Sequence, residues 1–415
     1  MRRSLLLSVL LFALALCASA QGPVKRRIPD CPFARFDRNF LIYPGDSAAM
    51  ERFFDKLDEL LFTGKGNISI MHIGGSHVQA GVFSQEMRDN ILNLFPGITA
   101  GRGMVFPFMK TNTPSSYFIT RTGEWNYCRN AVAFDTRLGL AGASVTTCDT
   151  TASFTIVTRE KSPSNFSPNF DFNLVKILGY GDNDTIEPVV HFNGDTLYGI
   201  HNEDEGSYTF LLPDFTDSLY VDFNQVHGTF TVTGVLLDNG MPGITYHGIG
   251  VNGARVESYL RCEDFERDLH LVKPDLVIFG IGINDAAADT FTKEKFMSDY
   301  NALIDIILEV NPDCALLFIT NNDSYKRIRK NKYQVNPNGT VVEEAFLELG
   351  QEHNAAVWDL FDIMGGLKSM ETWQHHDLAK KDKIHFTTAG YTLLGDLLFN
   401  ALMDNYMEHL NRKGR

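Results

Sequence analysis

The sequence predicts an α/β domain interrupted by an all-β sandwich, and three observations carry that prediction. Near the N-terminus a helix, a buried strand, a glycine turn and a second helix follow one another, the order of a parallel sheet covered by helices. From about Ser116 to Asp238 the texture changes to short alternating apolar runs with no helical period. Helix and strand then alternate again from Gly243 to the C-terminal region.

The first helix is read between Ser47 and Phe62, where Ala49, Met50, Phe53, Phe54, Leu57, Leu60 and Leu61 recur at helical spacing. Asp46 is the capping candidate before it and Gly64 the stop. Ile68 to Ile73 reads as a buried strand, Gly74-Gly75 as the turn, and Val82 to Leu94 as a second helix ending at Pro96. In the middle, strands are expected at Phe154–Val157, Phe172–Leu178, Val189–Phe192, Tyr208–Leu212, Leu219–Phe223 and Thr229–Leu237. Asn193-Gly194 and Asn239-Gly240 punctuate them as hairpin signals. After the strand Gly243–Val251, strands follow at Asp275–Gly280, Ala315–Thr320 and Ala355–Leu360. Helices are expected at Thr292–Val310, around Glu343–Glu352 and from Thr388 to about His409. The predicted organisation is a signal peptide (1–20), a linker (21–44), an α/β domain in two parts (45–100 and 241–412) and the inserted β module (101–240).

Residues 1–20 combine a basic start, an apolar stretch from Leu5 to Leu16 and an Ala18-Ser19-Ala20 exit, the pattern of a secretory signal cut before Gln21. The stretch is shorter than the roughly 20 residues that span a bilayer. Leu16 before Cys17 places lipidation second. The expected setting is periplasmic or secreted, with no integral membrane segment after signal removal. The chain has 37 Lys+Arg against 51 Asp+Glu, a net charge of −14. That balance repels phosphate backbones and argues against a nucleic-acid partner. Cys31, Cys128, Cys148, Cys262 and Cys314 lie beyond the signal. Cys128 with Cys148 is the nearest plausible disulfide, and Cys314 reads as a buried small hydrophobe.

Chemistry is expected where strands end. Ser76 follows the first buried strand in Gly74-Gly75-Ser76-His77, where the carboxyl end of a parallel strand and the N-terminus of a helix favour a nucleophile and an oxyanion. Asn284, in Gly280-Ile281-Gly282-Ile283-Asn284-Asp285, offers an amide donor at a second strand end. Gly253, in Gly250-Val251-Asn252-Gly253-Ala254, offers a backbone N–H. Asp382-Lys383-Ile384-His385 supplies an imidazole base with a carboxylate one short turn earlier to orient it. The alternative readings are ordinary ones: a turn at Gly75-Ser76, a helix cap at Asn284, a core position for His72 and Trp358, and a solvated loop for His375-His376-Asp377. Asn321-Asn322-Asp323 is read either as pocket lining or as a cap. Tyr117, Trp125 and Tyr198 are read either as sugar-stacking faces or as sandwich interior.

Taken together, these blocks resemble the SGNH/GDSL hydrolase superfamily: Ser76 matches the first block, Gly253 the second, Asn284 the third, and Asp382-x-x-His385 the fifth. One position departs, because Gly75 stands where the family usually has Asp. His77, Gln79 and Gly81 are similar to a Gly-Asp-Ser-His variant seen in peptidoglycan O-acetylesterases, one branch of which carries a carbohydrate-binding-like β module after the first block. The resemblance implies a three-layer flavodoxin-like α/β hydrolase domain with an inserted β sandwich. It implies a serine esterase with Ser76, His385 and Asp382 as catalytic residues and an oxyanion hole of Ser76, Gly253 and Asn284, without metal or organic cofactor. The substrate expected is an O-acetylated polysaccharide, peptidoglycan first. The alternatives are a lipase or lysophospholipase of the same superfamily, and a glycan-binding protein without activity.

Overall fold

A computed structural model describes residues 25–94, 99–107, 116–158, 170–183, 186–224, 228–330 and 332–414. The signal segment and its cleavage site lie outside these residues. The central sheet uses seven strands: β1 (Leu41–Ile42), β2 (Asn67–Gly74), β3 (Thr99–Gly101), β4 (Gly243–Gly250), β5 (Leu276–Gly280), β6 (Ala315–Ile319) and β7 (Ala356–Trp358). Their spatial order is β1-β7-β6-β5-β2-β4-β3. All neighbours are parallel except the edge pair β1 and β7. Disregarding the two edge additions, β1 and β3, this is the flavodoxin-like strand order, in which the chain reverses direction across the sheet between β2 and β5.

Both faces of the sheet are apolar, which is why its strands read as continuous hydrophobic runs. Ile68, Ile70, Leu276, Ile278, Leu317 and Trp358 share one buried cluster with residues of α1 (Ala48–Thr63), α3 (Val82–Leu92) and α7 (Thr388–Arg412). Between β2 and α3 lies the short α2 (Ser76–Gln79). Met71, Ile73, Val277, Phe279, Leu316 and Phe318 point the other way, into a cluster with α4 (Phe265–Val272), α5 (Lys293–Val310) and α6 (Gly339–Glu352). The three-layer expectation is met. α1 ends at Gly64 with φ +68°, a left-handed stop that the sequence marked.

Between Gly103 and Asp238 the described strands form two antiparallel sheets separate from the central one. Phe154, Ile156 and Val221 of one sheet and Val175, Ile177 and Val232 of the other share a core. Asn193 and Gly194 both take positive φ (+53° and +93°) and close a hairpin in which Phe192 faces Asp195. Asn239-Gly240 does not make the expected hairpin. It joins the last module strand, Phe230–Asp238, to β4, while that strand pairs instead with Gly103–Val105 where the chain leaves the central sheet.

Three expectations need correction. Residues 25–44 are not a free linker: β1 pairs with β7, the Arg26 N–H donates to Asn400 Oδ1 and Asn39 Nδ2 to the Leu397 carbonyl. The boundary placed at residue 101 falls inside β3, which pairs with β4. Cys128 and Cys148 are both free. Their strand pairing sets Cys128 opposite Ser144 and Asn126 opposite Thr146, so Cys148 lies four residues out of register, about 13 Å along the strand. Cys314 is buried, as expected. No helix among the described residues is long and apolar enough to cross a membrane.

Candidate active site

The reversal between β2 and β5 leaves a crevice beyond the carboxyl ends of both strands, and the sequence places Ser76 and Asn284 directly after them. The two strand ends approach closely. A Cβ at Gly74 would stand 2.7 Å from the Gly280 carbonyl oxygen and 2.4 Å from Val78 Cγ2, so only glycine fits there. Gly75 is less confined. A Cβ on it would meet Asn284 Nδ2 at 3.4 Å, an ordinary contact, so crowding does not demand glycine there.

Ser76 opens α2. Its Oγ lies 2.7 Å from His385 Nε2, and His385 Nδ1 lies 2.9 Å from Asp382 Oδ2. Ser76 and, 309 residues away, the Asp382–His385 turn thus form one hydrogen-bonded chain. The other Asp382 oxygen accepts the backbone N–H groups of Ile384 and His385, each at 3.0 Å. Burial pushes the Asp382 carboxyl upward, but the hydrogen bonds from His385 and these two amides outweigh it and hold the group at about 2. The chain remains reachable from solvent, with the side chains of His385 and Asp382 29% and 40% exposed.

The turn that presents His385 is braced on three sides. The Lys380 N–H donates to the His385 carbonyl at 2.7 Å, and Asn322 Nδ2 donates to the Ile384 carbonyl at 3.1 Å. The Tyr325 N–H donates to the Lys383 carbonyl at 3.2 Å. Lys383 itself takes φ +56°, a left-handed residue between Asp382 and His385 that lets the turn fold back so tightly.

Gly253 and Asn284 converge on the same end of the sheet. Gly253 has φ +87°, and a Cβ there would meet only Ala131 at 3.5 Å, so conformation rather than crowding calls for glycine. Its loop is anchored by Gln79, whose Oε1 accepts the Asn252 N–H, and by Arg129 of the β module, whose Nη1 donates to the Asn252 carbonyl at 3.0 Å. Asn284 Nδ2 donates to the Ala254 carbonyl at 2.9 Å, which commits one of its two amide protons and leaves the other. Asp285 is buried, and its Oδ1 accepts the Val256 N–H at 3.2 Å, tying the Gly253 loop to the Asn284 turn. Burial raises the Asp285 carboxyl to about 7.

Several residues that spacing alone does not single out support this arrangement. His77 Nδ1 lies 2.8 Å from Tyr391 Oη, and its ring stands 5.3 Å from that of His385. Burial, with the neighbouring His385 charge, lowers its imidazole to about 3 and keeps it neutral. Gln79, Asn322 and Asp285 act through loops rather than on the crevice directly; only their place beside the motif blocks hinted at them. His72 is a core residue, its Nδ1 2.9 Å from Tyr246 Oη. Trp358 is core as expected. His375 ends a short helix, Ser369–His375, and His376 stacks on Phe33 at 4.2 Å. Of the three module aromatics, Tyr117 is buried and bonded to the Phe106 backbone, Trp125 packs against Phe154 and Phe223, and Tyr198 is exposed.

The model of the GDSL-like Lipase/Acylhydrolase family matches residues 217–393. That span contains Gly253, Asn284, Asp382 and His385 and leaves out Ser76, which the β module separates from them. Among solved structures, a peptidoglycan O-acetylesterase superposes with a TM-score of 0.72 at 19% identity, covering 89% of this chain and 99% of that chain. An acetyl xylan esterase gives 0.30 at 20% identity, covering 38% of this chain and 80% of its own. A family two carbohydrate esterase from Cellvibrio japonicus gives 0.28 at 10% identity, covering 70% and 100%. No curated protein sequence matches the chain.

Proposed function

From the premise that this chain is a carboxylic ester hydrolase of the SGNH/GDSL superfamily, we propose that it removes O-acetyl groups from a polysaccharide, peptidoglycan first, outside the inner membrane. The observation that carries the chemistry is the hydrogen-bonded chain Ser76–His385–Asp382 at the open end of the sheet. Ser76 Oγ attacks the acetyl carbonyl carbon while His385 Nε2 takes its proton, and ionised Asp382 stabilises the imidazolium that forms. The Ser76 and Gly253 N–H groups and the second Asn284 amide proton receive the oxyanion. The sugar oxygen departs with the proton from His385, leaving an acetyl group on Ser76. Water, deprotonated by the same imidazole, then releases acetate.

Two features support a glycan ester. The solvent-reachable His385 and Asp382 suit a polymer that must lie across the crevice. The fold likeness to the peptidoglycan O-acetylesterase covers 89% of this chain and all but 1% of that one. The signal-like N-terminus supports a periplasmic or secreted setting, which fractionation of the producing cell checks. The test of activity is acetate release from O-acetylated peptidoglycan and O-acetylated xylan, beside nitrophenyl esters of rising chain length. Acetate from peptidoglycan, abolished in Ser76→Ala, is expected. Preference for long acyl chains overturns the acetylesterase reading, and a fully active Ser76→Ala overturns the mechanism. Asn284→Ala is expected to lose about 10²–10³ in kcat.

A further inference from the structure

Where the last turns of α7 meet α1, far from the crevice, four side chains form a cluster that the reaction does not use. His409 is fully buried. Its Nδ1 lies 2.5 Å from Glu51 Oε2. Its Nε2 has no hydrogen-bond partner among the described residues and stands 3.4 Å from both Asp55 Oδ1 and Asp58 Oδ2. Asp58 is buried as well, and its Oδ1 accepts the Tyr406 hydroxyl at 2.7 Å, which turns Oδ2 toward the histidine.

With Nδ1–H donated to Glu51, a neutral ring would aim the Nε2 lone pair at two carboxylate oxygens. Arg412 contacts Glu51 and Lys413 contacts Asp55, so the positive charge still to be placed lies between Nε2 and the buried Asp58 oxygen, as either a proton or a metal ion. A tetrahedral zinc with bonds of about 2.0–2.2 Å sets neighbouring ligand atoms about 3.3–3.5 Å apart, and both distances here are 3.4 Å. The three candidate ligand atoms all lie within 4.8 Å of one another. A carboxylate behind the distal ring nitrogen is also the arrangement that fixes the tautomer and orientation of a metal-ligating histidine, and Glu51 supplies it.

We propose that Asp55, Asp58 and His409 bind a divalent first-row transition metal ion, Zn²⁺ first, with water completing the shell. The Asp55 side chain is half exposed, so the fourth position is open to solvent. Lys413, which now contacts Asp55, sits past the end of α7 and swings away when the ion enters. His409 lies 21 residues into α7 from Thr388, about 30 Å from the turn that carries His385. The ion therefore acts as a staple between α1 and the C-terminal helix rather than as a reagent.

The test uses untagged protein stripped by a chelator, incubated with Zn²⁺ alone and desalted. Wild type is expected to keep one equivalent and to gain several degrees in thermal midpoint, with Mg²⁺ giving neither. His409→Gln and Asp58→Asn are expected to lose both, and Glu51→Gln to bind about 10–100-fold more weakly. Asp55→Asn changes a half-exposed side chain, keeps the fold and is expected to lose the equivalent, so it decides the matter if the buried variants misfold. No retained zinc in wild type overturns the proposal. So does zinc retained equally by Asp55→Asn, which would place the ion elsewhere. Neither reading depends on esterase activity.

Discussion

His77 stands one residue after the proposed nucleophile, and its value lies in carrying no charge. In the proposed mechanism His385 becomes an imidazolium cation during attack, and the His77 ring is 5.3 Å away. A second cation at that distance opposes it by about 3 kcal/mol at an effective dielectric of about 20, roughly a hundredfold in rate. Held at about 3 by burial, His77 is neutral wherever the enzyme works. His77→Gln is therefore expected to keep kcat within about tenfold, whereas His77→Lys is expected to lose about 10² in kcat with little change in KM. Equal losses in the two variants, at matched thermal midpoints, would remove charge as the explanation. Asp285 shows the opposite sign of linkage. Its folded value is about 7 against an ordinary 3.8. Its protonated form is thus favoured by folding: the contribution is fully present below 3.8 and is lost as pH rises through 7. Asp285→Asn removes that loss, so its stability relative to wild type is expected to rise between pH 4 and pH 8. Urea midpoints at the two pH values check this, and a constant difference would show that Asp285 does not titrate in that window.

At the scale of elements, the proposed reaction depends on how rigidly the turn Lys380–His385 is held, because among the described residues Ser76 makes one hydrogen bond to it, to His385 Nε2. Asn322 braces the turn from the end of β6. Asn322→Ala leaves the Ile384 carbonyl without that donor, and a loss of about 1–3 kcal/mol in stability is expected. Because His385 is then less well placed for proton transfer, kcat is expected to fall more than KM rises; a stability loss with unchanged kcat would limit Asn322 to the fold. This contact marks the limit of what the sequence makes legible. Ser76, Asn284 and the Asp382–His385 pair were legible because each follows an apolar strand or precedes a long amphipathic helix. Asn322 and Gln79 were noticed, the first as pocket lining or a cap and the second in the family variant, but the bonds they and Asp285 make were not legible, because their partners are backbone groups brought close only by the sheet. The inner strands were legible because both faces are apolar. Phe118–Thr122 and Asn126–Arg129 were not, since they place polar or exposed side chains on most positions and are recruited by pairing with Ser153–Val157 and Ala143–Thr147. The Asn239-Gly240 signal was real as a turn, yet it connects two different sheets, which local sequence cannot specify.

At the scale of the whole molecule, the change of texture between Ser116 and Asp238 marked an inserted β module, but the packing describes one body. Leu138, Leu140 and Ala141 of the module lie in the same buried cluster as Val251, Val256, Tyr259, Phe265 and Leu269 of the α/β part. The seam is also polar and specific. The Leu140 N–H donates to Asp268 Oδ2 at 3.0 Å, the Asp264 N–H donates to the Leu138 carbonyl at 3.0 Å, and Arg137 pairs with Asp264. Asp268 has no exposed side-chain surface, so separating the two parts would expose an apolar face and remove the Leu140 N–H from a buried carboxylate, leaving it Arg267 alone. The Gly253 loop lies on this seam, through Arg129 and Ala131, so unfolding of the module would unmake the loop proposed to receive the oxyanion as well. The protein is therefore expected to unfold in a single transition, with intrinsic fluorescence, circular dichroism and loss of esterase activity superimposing in urea. Leu138→Ala, at a fully buried position on the seam, is expected to lower the midpoint of that one transition by an amount equivalent to about 2–5 kcal/mol. Two resolved transitions, with only one shifted by Leu138→Ala, would show that the module folds independently and that the oxyanion loop holds its shape without it.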